Sequence, residues 1–132
     1  DSILFPVNWA LILKSKFGLE ILDRCSKEGT AVLAIKVMAD TLWGNKEVRE
    51  FPNCWYKPLS QKKMIDLAVK FALSEDIASF LPPGDASLFR LGMDAAISFN
   101  RINRFEIEEL RNFAFKSSPI GSKDEIFLGP KM

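Results

Sequence analysis

The residues best suited to chemistry gather in two places. One is Lys36, a cation closing the apolar run AVLAIK, and the other is LPPGDASLFRLGMD, residues 81–94. A lysine at the end of a buried strand has little structural purpose unless it reaches an anion, snorkels to solvent or pairs with Asp40. In the second stretch two prolines and a glycine separate an apolar run from an amphipathic one. Gly84 permits close backbone approach, and Asp85 or Ser87 can cap the helix that follows. The free N–H groups of such a helix start suit a phosphate, and Arg90 in the first turn can clamp one bidentately. The plainer alternative is a strand-to-helix turn with a solvated arginine.

The remaining inventory is thin. The chain holds no histidine, which excludes every Ser-His and Cys-His nucleophile and any zinc site of Cys/His type. Cys25 and Cys54 lie on unlike segments without C-x-x-C spacing, so a disulfide framework is not expected and a reducing, cytoplasmic setting is. Glu106, Glu108 and Glu109 read as the acidic first turn of a helix rather than a catalytic pair. Neither a P-loop nor G-x-G-x-x-G is present. No metal ligands or catalytic residues are expected. A net charge of +1 gives no electrostatic footprint for nucleic acid. No apolar run approaches the ~18 residues that span a bilayer.

Three short segments carry the strand signature that would position these residues: 2–7 (SILFPV), 31–37 (AVLAIKV) and 77–81 (IASFL). AVLAI is apolar throughout, as expected of a parallel strand covered on both faces. Pro6 points to a strand end or an edge. Helical periodicity follows at 18–28, ending on Gly29, and at 60–74, with Ser60 as expected N-cap and Met64, Leu67, Ala68 and Phe71 on one face. A third helix is expected over 88–99. A fourth starts from Asn103, with Glu106 completing a capping box and Ile102 and Ile107 spaced as a hydrophobic staple. Segment 43–58 reads as a long aromatic loop, either functional at a barrel mouth or a plug for the side of the barrel, and 117–132 as a loop tail.

The expected order is β-α-β-loop-α-β-α-α, an α/β chain with a parallel sheet and right-handed crossovers. The 132 residues suffice for one domain. A complete (β/α)8 barrel takes roughly 250. Residues 1–116 therefore read as three β/α units plus a closing helix, part of a TIM barrel. The opening DSILF, without Met, reads as the inside of a longer chain. In such barrels ligands sit beyond the carboxyl ends of the strands, where Lys36 and the Pro82 turn lie.

Four stretches in order carry a more specific resemblance: Pro-Val-Asn at 6–8, GLEILDRCSKEGTAVLAIKVMA at 18–39, CWYKPL at 54–59, and AVKFALSEDIASFLPPGDASLFRLGMDAA at 68–96. Together they resemble the C-terminal part of an aldo-keto reductase, in the bacterial branch with K-x-M-A after the penultimate strand and P-P-G-D after the last. The resemblance implies strands six to eight of a (β/α)8 barrel that binds NADP(H) and reversibly reduces a small carbonyl substrate. It implies cofactor contacts from Lys36 to the pyrophosphate and from Gly84, Asp85, Ser87, Arg90 and Asp94 around the adenosine and 2′-phosphate. Asp94 stands where Asn is common, Gly84 where Lys is common, and Leu4 where many members have Gln. The catalytic tetrad of the family belongs to the N-terminal half, so these residues alone are expected to be inactive. A non-catalytic phosphate- or dinucleotide-binding half-barrel and a self-associating structural module are the alternatives. Open sheet edges call for either the missing half or a second copy.

Overall fold

A computed structural model describes residues 1–116. The expected tail at 117–132 lies outside the described residues. The first strand, β1 (Ser2–Pro6), leads into a short helix α1 (Trp9–Ser15) and a longer one, α2 (Leu19–Glu28). Strand β2 (Ala31–Ile35) follows, then β3 (Ala39–Thr41) and β4 (Lys57–Pro58). Helix α3 (Lys62–Leu73), strand β5 (Ser79–Phe80) and helices α4 (Ala86–Ile97) and α5 (Arg104–Lys116) complete the described chain.

The main sheet has the order β1-β2-β5, with both pairings parallel. Each strand thus sits beside the next in sequence, the arrangement expected of strands separated by helical crossovers. β1 is an edge, which accommodates Pro6: its missing N–H faces away from β2, and the next amide, Val7 N, donates to Ile35 O at 3.0 Å.

The two faces of this sheet differ. Ile3 and Phe5 on β1, Val32 and Ala34 on β2 and Phe80 on β5 share one face, which the helices cover. Gly18 and Gly92 set how closely. Gly18, at φ 82°, starts α2, and a Cβ there would lie 2.6 Å from the Phe5 ring. Gly92 of α4 would place one 3.0 Å from Met38 Sδ and 3.5 Å from the Phe80 ring. On the other face Leu4 pairs in register with Leu33, and Leu4 and Leu81 remain 58% and 42% exposed. Neither edge strand acquires a further partner among the described residues.

The helices form for local reasons. α2 closes on Gly29 in the left-handed region, whose N–H returns to the last turn. α3 is the most buried helix, with Met64, Ile65, Leu67, Ala68, Val69, Phe71 and Ala72 inside, a wider face than periodicity suggested. Its N-cap is Gln61 rather than Ser60, with no side-chain capping bond. α5 has the expected capping box: Asn103 N donates to Glu106 Oε2 at 2.9 Å, and Glu106 N to Asn103 Oδ1 at 3.0 Å. Glu106 also pairs with Lys70 at 2.6 Å, tying α5 to α3.

Three sequence expectations need correction. Residues 9–15 form α1, which is too short to show a period and is almost wholly buried at its start. The 43–58 loop is not structureless, because its end returns as β4 to pair antiparallel with β3. The strands are shorter than expected: β2 stops at Ile35, and β5 spans two residues with its neighbours supplying single bonds, as when Leu81 N donates to Ala34 O at 2.8 Å. Among the described residues no helix is long and apolar enough to cross a membrane.

Candidate functional site

The turn after β2 is built around Asn8. This side chain is 1% exposed. Its Oδ1 accepts from Ala10 N at 3.1 Å and Leu11 N at 3.2 Å, capping α1. Its Nδ2 donates to Lys36 O at 3.0 Å and Ala39 O at 3.1 Å. One buried amide therefore joins the end of β1, the start of α1 and the turn leaving β2, with no donor or acceptor wasted.

That turn holds Lys36 at φ 64°, in the left-handed region, which costs a non-glycine residue roughly 1–2 kcal/mol. The conformation directs the side chain onto the returning loop. Lys36 Nζ lies 3.9 Å from the centroid of the Trp55 ring and 4.6 Å from that of Tyr56. The two rings meet edge to face at 5.2 Å. The expected alternative of a Lys36–Asp40 pair does not form, and Lys36 makes no ion pair among the described residues. Burial without a carboxylate lowers its ammonium from 10.5 to about 8. Asp40, half-buried, is pushed up by burial and partly drawn back by Lys57, and its Oδ1 has no hydrogen-bond partner.

The same loop reaches the other sequence-predicted stretch. Asn53 O lies 3.5 Å from where a Gly84 Cβ would stand, so the two backbones pass closely. Cys54, 2% exposed, has its thiol pushed up by burial and by the Asp85 carboxylate, with the Gly84 N–H acting against them. Trp43 Nε1 donates to Cys54 O at 2.8 Å, pinning the segment. Burial also raises the Tyr56 hydroxyl. Residues 53–56 thus touch Lys36 at one end and the Gly84 turn at the other, so both carboxyl-end turns share one aromatic segment. Both cysteines are free and buried.

The turn after β5 is arranged differently. Asp85 is the N-cap of α4: its Oδ1 accepts from Ser87 N at 2.9 Å, Ser87 Oγ at 2.5 Å and Leu88 N at 3.2 Å. These bonds hold its carboxyl below the usual range. They also occupy amides that a phosphate would otherwise use, leaving Ala86 N at the helix start. Arg90 and Asp94 are exposed one turn apart on α4, and neither has an ion pair among the described residues. Leu4 lies on the uncovered sheet face.

Asn8 is the member of this constellation that sequence reading passed over, quoted only within Pro-Val-Asn. Its signal was an Asn between an apolar strand and the apolar run WALIL, a position where only a cap makes sense of a polar residue. Among the described residues no group of three or more acidic or cysteine side chains could hold a metal ion. Comparison with family models, with curated proteins and with solved structures finds no match to this chain.

Proposed function

We propose that this chain is the cofactor-binding, C-terminal part of an NADP-dependent aldo-keto reductase, supplying strands six to eight of a (β/α)8 barrel. The observation that carries the reading is the sheet: three parallel strands in sequential order, one face covered by helices and the other open, with Lys36 and the Gly84–Ser87 turn at their carboxyl ends. Leu4, Leu33 and Leu81 would then face the barrel interior that further strands complete. In this reading Arg90, which has no ion pair among the described residues, meets the 2′-phosphate. Lys36 approaches the pyrophosphate, and Ser87, Asp94 and the Gly84–Asp85 backbone line the adenosine. A small carbonyl substrate and the proton donor for its reduction belong to the missing half, so the chain alone is inactive, and a cytoplasmic setting goes with the same reading.

A second reading rests on those leucines alone. An open apolar face flanked by two edges that have no further partner among the described residues suits a second copy of the chain as well as a missing half, which would make the molecule a self-associating module.

Titration of the chain with NADPH and NADH, followed by quenching of its tryptophan fluorescence, tests the first reading. NADPH should quench saturably, and Arg90→Ala should weaken NADPH about tenfold while leaving NADH nearly unchanged. Equal losses for both nucleotides would remove Arg90 from the 2′-phosphate role. No saturable quenching by either would overturn the reading.

A further inference from the structure

We propose that the outward side of α4 is a homodimer surface, on which two copies of the chain lie antiparallel with Arg90 of each paired to Asp94 of the other. The inference does not rest on the cofactor reading. It also differs from association through the open sheet face, because its surface belongs to a helix and not to the strands.

The two sides of α4 differ sharply. Leu88, Gly92 and Ala95 are buried, and Gly92 stands against Met38 and the Phe80 ring. The outward side carries Phe89, Met93 and Ile97, which are 48%, 42% and 80% exposed. Spaced four apart, these side chains form one continuous ridge over about two turns. Rows of this spacing interdigitate in the commonest class of helix packing. A contiguous row of large apolar side chains marks a contact surface, as scattered single ones do not.

The charges beside the ridge name its occupant. Arg90 follows Phe89 and Asp94 follows Met93, so the two charges run together along one flank. They stand one turn apart, the spacing at which Arg24 and Glu28, and Lys62 and Asp66, close as ion pairs. Yet neither Arg90 nor Asp94 has an ion pair among the described residues.

In an antiparallel pair related by a two-fold axis, the same flank of each helix faces its counterpart, and residue i meets j wherever j meets i. With the axis passing between Gly92 and Met93, Arg90 lies opposite Asp94 of the second copy. Phe89 then lies opposite Ile97, and Met93 opposite Met93. Every one of these matches holds to within about 1.5 Å along the helix, one residue of rise. A different partner would need both charges in the right order, whereas a second copy supplies them by symmetry. The helix has 12 residues, about 18 Å, so the interface is small and the dimer should form at on the order of 10–100 µM. Arg90 cannot serve two anions at once, so under the cofactor reading a bound 2′-phosphate would compete with the dimer.

Sedimentation equilibrium of the full chain, from about 5 to about 500 µM, tests the proposal. The weight-average mass should rise from one chain toward two. Arg90→Asp and Asp94→Arg should each weaken association about tenfold, since like charges then face each other. An equimolar mixture of those two variants should recover it, because each aspartate then faces an arginine. Leu4→Glu, on the sheet face, should leave the association unchanged. A chain that stays monomeric throughout would hand the ridge to residues 117–132 or to a different protein, and would overturn the proposal. Association lost in Leu4→Glu but kept in both charge variants would assign it to the sheet and overturn it equally. So would a mixture that associates no better than either variant alone.

Discussion

The turns that leave β2 and β5 stand at the same end of the sheet and solve the same problem in opposite ways. After β2, a buried Asn8 satisfies the backbone of the turn from outside it, and the freed lysine leans on aromatic rings. After β5, Asp85 satisfies the turn from within, spending its carboxylate on Ser87 and Leu88 and leaving Arg90 in solvent. The first turn is tied by hydrogen bonds and half-buried, and burial lowers the ionisation of its Lys36. The second is solvated, and its Arg90 has no ion pair among the described residues. A dinucleotide spanning both would meet a half-buried lysine at one end and a solvent-exposed guanidinium at the other, and at pH 7 both would attract it.

The largest effect should come from removing the outside support. Asn8→Ala deletes the cap of α1 and both donors to the β2 turn, leaving Ala10 N, Leu11 N and Ala39 O buried with nothing in place of the amide. Each such group costs about 1–3 kcal/mol, and part of this is recovered by relaxation, so a loss of roughly 3 kcal/mol is expected. The urea midpoint measures it. A drop of less than about 1 kcal/mol would show that the turn holds itself and would erase the contrast with β5.

A smaller effect should follow from the lysine that this support constrains. Lys36 ionises at about 8 when folded and at 10.5 in its ordinary state. Between those values the unfolded chain binds more protons, so stability rises with pH there, and below about 8 the cost of the desolvated ammonium is fully present. Lys36→Met keeps the stem on the rings and removes that cost. It should stabilise the fold at pH 7 by on the order of 1 kcal/mol after allowance for solvent screening, and the gain should fade between pH 8 and 10.5. Paired urea titrations at pH 7 and pH 10 measure the difference. A gain that stays constant with pH would assign it to packing and not to charge. Tyr56 titrates in both proteins and cancels.

How much of this was legible in the sequence depends on how local each cause is. The capping box of α5 and the Gly29 end of α2 need only neighbouring residues, and both were readable in advance. The parallel sheet was legible because AVLAI is apolar at every position, although among the described residues only one of its two faces is covered, and Ala31, Leu33 and Ile35 stay half-buried. Helix α1 was not, since seven residues make two turns and every side chain from Trp9 to Ile12 is buried, which erases any period. The partner of Lys36 was likewise hidden, because Trp55 and Tyr56 approach it only after the loop turns back as β4. Lys36 and the Gly84 turn were both singled out by residue type, but their shared neighbour, residues 53–56, depends on a long-range return that no spacing encodes.

The smallest effect on the fold, and the most telling about the second turn, should come from Asp85→Asn. The asparagine Oδ1 can still accept from Ser87 N and Leu88 N, so the helix start is kept and the urea midpoint should barely move. What changes is the charge. A carboxylate at the mouth of α4 repels any phosphate that approaches Ala86 N and Arg90, whereas an amide does not. Under the cofactor reading NADPH should therefore bind Asp85→Asn several-fold more tightly than the unaltered chain, and NADH should gain less. An unchanged NADPH affinity would mean that the phosphate never comes near this turn, and the two turns would then differ in structure alone. The opposite result, weaker binding, would mark Asp85 as a direct acceptor for the ribose or adenine and make its capping role secondary to its place in the site.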